Sequence, residues 1–365
     1  MKVLIIEGRK TIGGGQVVTK YICNELSKEY EIEVFIPGNS NSAISTYLNQ
    51  YKQYYFKTKE YTLGKKKLTD YAKFFYNLIS SGFYLYKTLK TSHPDYIYIQ
   101  HVNMLPITIL INHFFKIKII THIHVIHSDN RTRRLINYLL TSKQIKRVIG
   151  VSQFSLSQFT EKVKKKSVVI YNPVELRESY HADLQKLNIA IIGDVYNSKG
   201  QHVLLESFNE KKEDYKIHII GNIIDPNYKK YLEQHFNKTN VVYTGMINDV
   251  ANYLKQNKIS ITVIASIVKF ETFSLAMVES WAQGIPTIAT DDFGMKELTE
   301  KFLPQYKNLL LFPLGNSKIL HDKILELTAD KKRYQEISLT LRQTVKSNFN
   351  KQSFSEKIKE ILRNC

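Results

Sequence analysis

The chain has 365 residues, of which 43% are hydrophobic and 23% are charged, and its 52 Lys and Arg outnumber its 33 Asp and Glu by 19. These values are those of a globular protein that buries a core, and the length suits two domains. Two cysteines exclude a disulfide framework and favour a reducing compartment, and the apolar run at residues 3–6 is too short for a secretory signal, so we expect neither a secreted nor a membrane-spanning protein.

Strands and helices alternate in the first half of the sequence. An apolar run at residues 3–6 is followed by three glycines at 13–15, a stretch with helical apolar spacing at 16–27 and an alternating segment at 31–37. This order of strand, glycine loop, helix and strand predicts a βαβ unit. Further strands are predicted at residues 96–99, 118–121, 147–151 and 168–174.

The same pattern begins again after a polar segment at residues 175–186. Strands are predicted there at residues 188–193, 216–220, 241–243, 260–264 and 287–289. Strands that are apolar throughout and alternate with helices indicate parallel sheets covered on both faces. We therefore predict an α/β fold of two Rossmann-like, doubly wound domains facing across a cleft, with ligands beyond the carboxyl ends of the strands.

The segment after the strand at 260–264 combines several features of a ligand site. Glu271 lies in the loop at the carboxyl end of this strand, and Ser274 is a suitable N-cap for a helix that runs to Gln283 and stops at Gly284. Free N–H groups and the dipole at the helix start favour a phosphate. Glu279 can accept hydrogen bonds from two vicinal hydroxyls, or it is simply a solvated residue of an amphipathic helix.

The two glutamates, eight positions apart and followed by Trp-Ala-Gln-Gly-Ile-Pro-Thr-Ile-Ala, resemble the signature of retaining GT-B glycosyltransferases of family 4. That pattern is Glu-x-Phe-Gly-x-x-x-x-Glu-Ala-x-Ala-x-Gly-x-Pro-Val-Ile. Other segments resemble the family in the same order along the chain. These segments are the glycines at 13–15, residues 118–124, 148–152, 169–174, 192–200, 242–246 and 291–297.

The resemblance implies a transferase that uses a nucleotide diphospho-sugar, expected to be a UDP-sugar with a GDP- or dTDP-sugar as the alternative. It assigns catalysis to Glu271 and His124, and the acceptor hydroxyl is expected to attack the front face of the sugar. No metal ion is expected to be required, because the sequence has no Asp-x-Asp motif, and no cofactor is expected. The implied donor-binding residues are Gly14, Gly15, Lys199, Met246, Thr272, Phe273, Ser274, Leu275 and Glu279.

The resemblance also implies the domain boundaries. An acceptor-side domain is expected at residues 1–174, a linker at 175–187 and a domain that binds the nucleotide sugar at 188–345. Residues 346–365 are expected to form a helix that crosses back to the first domain, and residues 349–363 have the apolar spacing of an amphipathic helix.

Two positions depart from the family pattern. Asp194 stands where the family has arginine, five residues before Lys199, and an acidic side chain cannot bind a diphosphate. Either another cation replaces this arginine or the transferase activity is reduced or lost. The family's glycines beside the first glutamate are replaced by Thr272 and Ser274, whose small side chains still allow a close approach of the backbone.

Two further histidines lie close in sequence to the implied catalytic His124. His122, His124 and His127 form a His-x-His-x-x-His pattern, which allows a zinc site, a ligand-contacting histidine at 124, or structural histidines. Residues 122 and 124 share one face of a strand, whereas His127 lies beyond the strand end. The prediction is a ligand-contacting His124 and no metal ion.

The excess positive charge is concentrated in residues 51–175, which hold 21 basic and 6 acidic side chains, a net charge of +15. Within this region Leu68, Tyr71, Phe75, Leu78, Gly82, Tyr86 and Leu89 recur at helical spacing, and lysines at 65–67, 73, 87 and 90 surround them. A basic helix with aromatic residues is typical of a membrane surface, and a core helix with solvated lysines is the alternative. We expect a cytoplasmic protein, peripheral on the inner face of the cell membrane, with a glycan or lipid-linked acceptor.

Four functions therefore compete. The first is a hexosyltransferase that builds a cell-surface polysaccharide or glycoconjugate. The second is a catalytically weak GT-B-like protein that assists an active glycosyltransferase, as Asp194 suggests. Sugar-nucleotide epimerases and phosphorylases share the fold and are a third class. A nucleic-acid-binding protein is suggested by charge alone, since no helix-turn-helix, zinc or RNA-binding pattern is found, and no nucleic acid partner is predicted.

Overall fold

The computed structural model describes residues 1–59, 68–127, 129–180, 182–209, 214–236, 239–268 and 271–365. The chain divides into two units. The first contains Met1–Ile170 together with Phe354–Cys365, and the second contains Tyr171–Ser353. The lysines at 65–67, which belong to the predicted basic helix, lie outside the described residues.

The first unit is built on a parallel sheet. Among the described residues it has seven strands: β1 (Lys2–Ile6), β2 (Glu31–Pro37), β3 (Lys52–Phe56), β4 (Tyr96–Ile99), β5 (Lys118–Ile123), β6 (Ile145–Gly150) and β7 (Ser167–Val169). Their order across the sheet is β3-β2-β1-β4-β5-β6-β7. The central strand β1 is apolar on both faces because helices cover both, and Ile5 pairs with Val34 on one side and Tyr98 on the other.

Helices connect the strands of the first unit. They are α1 (Gly14–Leu26), α2 (Ala43–Tyr47), α3 (Leu68–Ser92), α4 (Leu105–Asn112), α5 (Asn130–Leu140), α6 (Gln153–Leu156) and α7 (Glu161–Lys164). Helix α1 begins two residues earlier than predicted, so Gly14 and Gly15 form its first turn instead of a loop. The Gln16 side chain stabilises this start by accepting a hydrogen bond from the Gly13 N–H at 3.1 Å.

The second unit repeats the same design. Its strands, counted over the part of the chain that the structure describes, are β8 (Leu187–Ile192), β9 (Tyr215–Ile220), β10 (Val241–Gly245), β11 (Ile261–Ile264), β12 (Thr287–Thr290) and β13 (Leu311–Phe312). They lie in the order β10-β9-β8-β11-β12-β13, and every pair is parallel. The predicted α/β fold of two doubly wound units is confirmed.

The helices of the second unit are α8 (Gln201–Ser207), α9 (Pro226–His235), α10 (Val250–Gln256), α11 (Leu275–Ala282), α12 (Phe293–Phe302), α13 (Lys307–Leu310), α14 (Ser317–Ala329) and α15 (Lys331–Asn348). The last helix, α16 (Lys351–Arg363), buries Phe354, Ile358, Ile361 and Leu362, and its residues from Phe354 onward belong to the first unit. Among the described helices, none combines the length and the apolar character that a bilayer span requires.

Both sheets reverse their strand order at one point. In the first unit this point lies between β1 and β4, and in the second it lies between β8 and β11. The loops after two such strands diverge to opposite faces of the sheet and leave a crevice at its carboxyl edge, where ligands bind in doubly wound folds. The loops after β8 and β11 therefore border the crevice in which a ligand of the second unit is expected to bind.

Candidate functional site

Lys199 and Glu271 meet at this edge of the second sheet. Lys199 ends the short 3-10 turn Asn197–Lys199 after β8, and Glu271 lies in the loop after β11. The Lys199 Nζ donates a hydrogen bond to the Glu271 Oε2, and the Ser266 hydroxyl donates to the same oxygen at 3.3 Å. The two side chains are only 25% and 16% exposed. The strand order thus brings together opposite charges that lie 72 residues apart.

Lys199 is held in its charged form. Burial alone disfavours an ammonium group, but the neighbouring Glu271 carboxylate, with smaller contributions from Tyr196 and Asp194, outweighs this effect and raises the pKa of Lys199 above its ordinary value. A fixed cation at the carboxyl edge of the sheet is what an anionic ligand requires. A bound anion would compete with Glu271 for this ammonium group.

A glycine allows the loops after β8 and β11 to pack against each other. Gly200 has a φ of +72°, and a Cβ at this position would lie 2.0 Å from the Ala265 carbonyl oxygen. Nearby, the Ile267 N–H donates to the Ser198 carbonyl oxygen at 3.0 Å. Any other residue at 200 would be strained and would push the two loops apart.

The start of α11 forms the next part of the site. Ser274 is its N-cap, as predicted, and its Oγ accepts the Met277 N–H at 3.4 Å. The N–H groups of the first turn, beginning at Leu275, have no acceptor within the helix. N–H groups at a helix start are directed toward its amino end, and together with the helix dipole they favour an anion. The helix ends at the Gln283 C-cap, and Gly284 follows at a φ of +78°.

An aromatic cluster fixes the loop between Glu271 and α11. Phe273 is buried, and its ring lies 6.3 Å from that of Tyr171 and 6.0 Å from that of Phe349. Thr272 is buried beside it, and the Gly294 N–H donates to the Glu271 carbonyl oxygen at 3.0 Å. The backbone of residues 271–274 is therefore held from both sides, which a site for a charged ligand needs.

Glu279 lies one turn further along α11. The side chain is solvent-accessible, yet the protein around it desolvates the carboxyl group and raises its pKa to about 7, while Arg177 acts in the opposite direction. At neutral pH this carboxyl group is therefore poised between its neutral and charged forms. The Arg342 guanidinium holds the end of the same helix, because its Nη1 donates to the Ala282 carbonyl oxygen at 2.8 Å and to the Arg177 carbonyl oxygen at 2.6 Å.

Two further predicted positions lie at the same edge of the second sheet. Met246 follows β10 directly and is 61% exposed, which leaves its side chain available to a flat apolar group. Asp194 follows β8, and its charge is one of those that stabilise the ammonium group of Lys199. The acidic residue that replaces the family arginine therefore lies near the site cation.

The other predicted site residues belong to the first unit. Gly14 and Gly15 form the first turn of α1, where helical N–H groups have no helical acceptor, and a Cβ on Gly15 would meet nothing within 4 Å. The loop before this helix is held by the buried carboxylate of Glu7, which accepts the N–H groups of Gly8 at 2.8 Å and Arg9 at 3.1 Å. Glu7 was not among the predicted site residues, and its position directly after the apolar run at 3–6 is the signal that could have identified it.

His124 follows β5 in the first unit. Its ring packs on that of His122 at 4.3 Å, and its Nε2 lies 2.8 Å from the Gln100 Oε1. Burial, assisted by His101, lowers the pKa of His124 to about 3, so the imidazole is neutral at physiological pH. The Gln100 Oε1 accepts a hydrogen bond from Nε2 in the tautomer in which this nitrogen carries the proton.

The neighbouring histidines have structural surroundings. His122 is fully buried in β5 with its Nδ1 3.2 Å from the Tyr98 hydroxyl, and burial holds its pKa well below the ordinary value. His101, which was not among the predicted residues, follows β4, and burial lowers its pKa to about 4. Over the described parts of the chain, no group of three or more His, Cys, Asp and Glu side chains is arranged to hold a metal ion.

Two family models match nearly the whole chain in succession. The model for Glycosyltransferase Family 4 matches residues 12–178, and the model for glycosyl transferases group 1 matches residues 174–344. Among curated proteins, an uncharacterized glycosyltransferase of Methanocaldococcus jannaschii is 27% identical over 221 residues, which cover 57% of this chain and 58% of that protein. The match thus spans less than two thirds of this relative.

Solved structures share the fold over the full length of the chain. Anabaena HepE in complex with UDP-glucose has a TM-score of 0.83 and 18% identity, and the match covers 100% of both chains. The sucrose-phosphate synthase of Thermosynechococcus elongatus has a TM-score of 0.80 and 15% identity, covering 100% of this chain and 98% of that one. S. aureus TarM, solved with UDP, has a TM-score of 0.76 and 14% identity, covering 99% of each chain.

Proposed function

Because this chain belongs to the group 1, family 4 glycosyltransferases of GT-B fold, we propose that it transfers a hexose from a nucleotide diphospho-sugar to a glycan or lipid-linked acceptor. The product would be a cell-surface polysaccharide or glycoconjugate. The observation that carries this proposal is the ion pair of Lys199 and Glu271 beside the capped start of α11. One cation, free helical N–H groups and a second carboxylate one turn along the helix suit a sugar attached to a diphosphate.

In this proposal the second unit binds the donor. Lys199 and the backbone N–H groups at Phe273, Ser274 and Leu275 bind the diphosphate and the sugar next to it, and Glu279 accepts hydrogen bonds from the ribose hydroxyls. Thr272 gives the backbone room beside the ligand. The leaving group is a nucleotide diphosphate, so fixed donors and a charged lysine stabilise the negative charge that develops as the glycosidic bond breaks.

The reaction needs no protein nucleophile. The bond between the anomeric carbon and the diphosphate oxygen breaks, a bond to the acceptor hydroxyl oxygen forms on the same face, and the hydroxyl proton passes to the departing diphosphate. The anomeric configuration is then retained. Glu271 stabilises the sugar or the positive charge near its anomeric carbon, unlike the acid and nucleophile carboxylates of a glycoside hydrolase. The proposed reaction uses neither a metal ion nor a cofactor.

His124 is the proposed catalytic residue of the first unit. Its neutral imidazole contacts the Gln100 side chain beyond the end of β5 and adds no positive charge beside a bound sugar. Gly14 and Gly15 offer N–H groups at the start of α1, where the absence of side chains lets a ligand approach the backbone. These assignments follow the family resemblance and the positions of the residues at strand ends.

A UDP-sugar is the proposed donor. Anabaena HepE and S. aureus TarM were solved with UDP or UDP-glucose, which supports uracil over the alternatives, guanine and thymine. Met246 is assigned to the base because of its exposed place after β10. The acceptor-side charge, +15 over residues 51–175, supports a cytoplasmic location on the inner face of an anionic membrane and a lipid-linked or membrane-assembled acceptor.

A panel of nucleotide sugars in a thermal-shift assay tests the donor. A UDP-sugar should raise the melting temperature of the full-length protein, because a ligand that binds the native state stabilises it. Turnover with that donor in the presence of EDTA tests the independence from metal ions, and NMR of the product anomer tests retention. A panel without any stabilising nucleotide sugar contradicts the proposal.

The substitution Glu271→Ala separates binding from transfer. It should abolish transfer, yet UDP should still raise the melting temperature, because Lys199 loses its competing partner and is free to bind the diphosphate. Glu271→Gln is the matched control, since it keeps the shape of the side chain and an acceptor for Ser266. Transfer retained by Glu271→Ala would remove the assigned role.

A catalytically weak protein that assists an active glycosyltransferase is the second candidate, and Asp194 near Lys199 is the observation that favours it. A purified protein that binds a UDP-sugar but turns over none, alone or with acceptor, would favour this candidate. Donor hydrolysis measured without acceptor distinguishes the two.

A further inference from the structure

Helix α3 exposes an apolar stripe that runs along most of its length. Leu68, Tyr71, Phe75, Ile79, Phe83 and Tyr86 lie at three- and four-residue spacing on one side of this helix. All six are exposed, with Leu68 89%, Phe75 60% and Ile79 71% accessible. The predicted stripe was partly different, because Gly82 and Leu89 are buried and Leu78 is half-buried.

The core side of α3 combines apolar residues with small or polar ones. Leu85 and Leu89 are buried there, and Leu78 and Tyr84 pack against the same core. The other buried residues include Ser81 and Thr88, whose hydroxyls donate to carbonyl oxygens of the helix itself at 2.6 and 2.9 Å. A surface helix of a globular protein normally turns its apolar side to the core. Helix α3 does so through these leucines, but it also carries the six-residue apolar stripe, which the described residues leave exposed.

The apolar surface extends onto the neighbouring helix. A Cβ on Gly82 would lie 2.7 Å from the Ile107 side chain, so α3 and α4 pack closely at this glycine. The outer side of α4 presents Leu110, and Phe114 in the turn beyond it is 71% exposed and lies 6.5 Å from the Tyr86 ring. We use the name α3–α4 face for the six stripe residues of α3 together with Leu110 and Phe114.

Basic side chains border this face. The Lys87 Nζ lies 4.3 Å from the centre of the Phe83 ring, and the Lys59 Nζ lies 4.5 Å from that of Tyr76, whose side chain is also exposed. Lys90 and Lys116 are exposed nearby. Between residues 68 and 118 the sequence has five lysines and two acidic residues, and one of the two, Asp70, is paired with Lys73.

We propose that the α3–α4 face binds an anionic lipid bilayer and lies in its interfacial region, with α3 parallel to the membrane plane. Tyr and Phe rings suit the boundary between acyl chains and headgroups, and lysines beside them reach the lipid phosphates. A second copy of this chain fits less well, because joining two such faces would bring their lysines together. A membrane-linked acceptor is part of the proposed function, and the proposed bilayer contact rests on it.

Vesicle flotation with the full-length protein tests this proposal. Binding is expected to vesicles with 30% phosphatidylglycerol and to fall by at least tenfold with phosphatidylcholine alone or at high salt. The double substitution Phe75→Ser with Ile79→Ser should reduce binding at least tenfold. Its matched control is Leu314→Ser with Leu339→Ser, two exposed apolar residues of the second unit. Equal binding by both double variants, or none by the wild type, overturns the proposal.

Two further measurements separate the alternatives. The single tryptophan, Trp281, is fully buried, so a Phe75→Trp reporter should shift its fluorescence to the blue with anionic vesicles and be quenched by brominated lipid. A Leu339→Trp reporter should do neither. A dimer in light scattering that Phe75→Ser with Ile79→Ser dissociates would assign the face to a second copy and overturn the proposal. Stabilisation by a UDP-sugar, measured in parallel without vesicles, reports on the proposed function independently.

Discussion

Glu279 is the residue whose protonation is set close to neutral pH. Its pKa of about 7 means that the carboxylate needed to accept hydrogen bonds from ribose forms only as the pH rises through 7. Donor affinity should therefore increase between pH 6 and pH 8. Glu279→Gln should lower the affinity about tenfold at pH 8, a loss of about 1.4 kcal/mol, and flatten this dependence. Isothermal titration with the donor at several pH values measures both effects.

The matched control for this substitution is Glu336→Gln, an exposed carboxylate on α15. It should change neither the affinity nor its pH dependence. The free energy of unfolding gives a second measurement, because its change with pH has a defined direction. The pKa of Glu279 in the folded protein lies above the ordinary value of 4.5, so this residue should lower the free energy of unfolding of the wild type as the pH rises from about 5 to 7. Glu279→Gln should remove this loss, and urea unfolding measures it. Unchanged affinity in the variant contradicts the ribose assignment.

Asp194 places a negative charge near the proposed diphosphate site. Asp194→Asn should strengthen UDP binding severalfold, because it removes repulsion between two negative groups. Asp194→Arg should strengthen it further and raise transfer if the missing arginine limits catalysis. Thermal shift and initial rates at fixed ionic strength measure these effects, with Asp214→Asn, an exposed acidic residue near Lys186 at the opposite end of the sheet, as the control. Weaker UDP binding in both Asp194 variants would show that this carboxylate supports the site.

At the scale of elements, the site depends on how closely the loops after β8 and β11 approach. Gly200 and Gly315 have nearly equal φ values of +72° and +70°, but a Cβ would lie 2.0 Å from the Ala265 carbonyl oxygen at Gly200 and would meet nothing within 4 Å at Gly315. Gly315→Ala should cost about 1–2 kcal/mol of unfolding free energy from the left-handed backbone alone. Gly200→Ala should cost more and should also weaken donor binding.

Urea unfolding and donor titration of Gly200→Ala and Gly315→Ala separate the effect of backbone strain from the effect of displacing the loops. The carbonyl of Ala265 cannot move without shifting Ser266 and the loop that carries Glu271. Equal losses in the two glycine variants, with donor binding intact in both, would mean that the close approach is not needed for the site.

At the scale of the whole molecule, the last helix ties the end of the chain to the first unit. Ile358 of α16 is 1% exposed, and the Phe354 ring lies 5.6 Å from that of Tyr21. Ile358→Ala should lower the free energy of unfolding by about 2–5 kcal/mol, because it leaves a cavity in the core. Circular dichroism in urea measures the change.

The matched comparison for Ile358→Ala is the surface ion-pair residue Glu29, which binds Lys359 at 2.8 Å and Arg363 at 2.7 Å. Glu29→Ala should cost at most about 1 kcal/mol, since exposed ion pairs are screened by solvent. A larger effect at Glu29 than at Ile358 would mean that charge, rather than apolar burial, holds α16.

The sequence pattern predicted the inner strands of both described sheets, but of the edge strands it predicted only β7 and β10. The strand at 96–99 coincides with β4, because a run buried on both faces is apolar throughout. Strands β3 and β13 were missed. Lys52–Phe56 is a half-exposed edge strand that mixes polar and apolar residues, and Leu311–Phe312 has only two residues. Edge strands face water on one side, so their composition resembles that of loops.

The preferences and spacing of single residues were sufficient to predict the individual parts of the candidate site. The Ser274 cap and the stop at Gly284 follow from the preferences of single residues for helix ends, and the two glutamates follow from their spacing. Neither the contact between Lys199 and Glu271 nor the pKa of Glu279 could be predicted in this way. Both depend on which groups the fold brings within a few ångströms and on how far they are removed from water.

The sequence by itself determined the α/β class, the repeated strand and helix pattern and the family, because these depend on periodicity and motif order. Only the tertiary structure decided which side of α3 faces water, because periodicity identifies an apolar stripe without saying what it packs against. It also decided that a lysine and a glutamate 72 residues apart form one charged pair. Electrostatic and apolar interactions act over distances in space, and folding alone fixes those distances between residues that are remote in the chain.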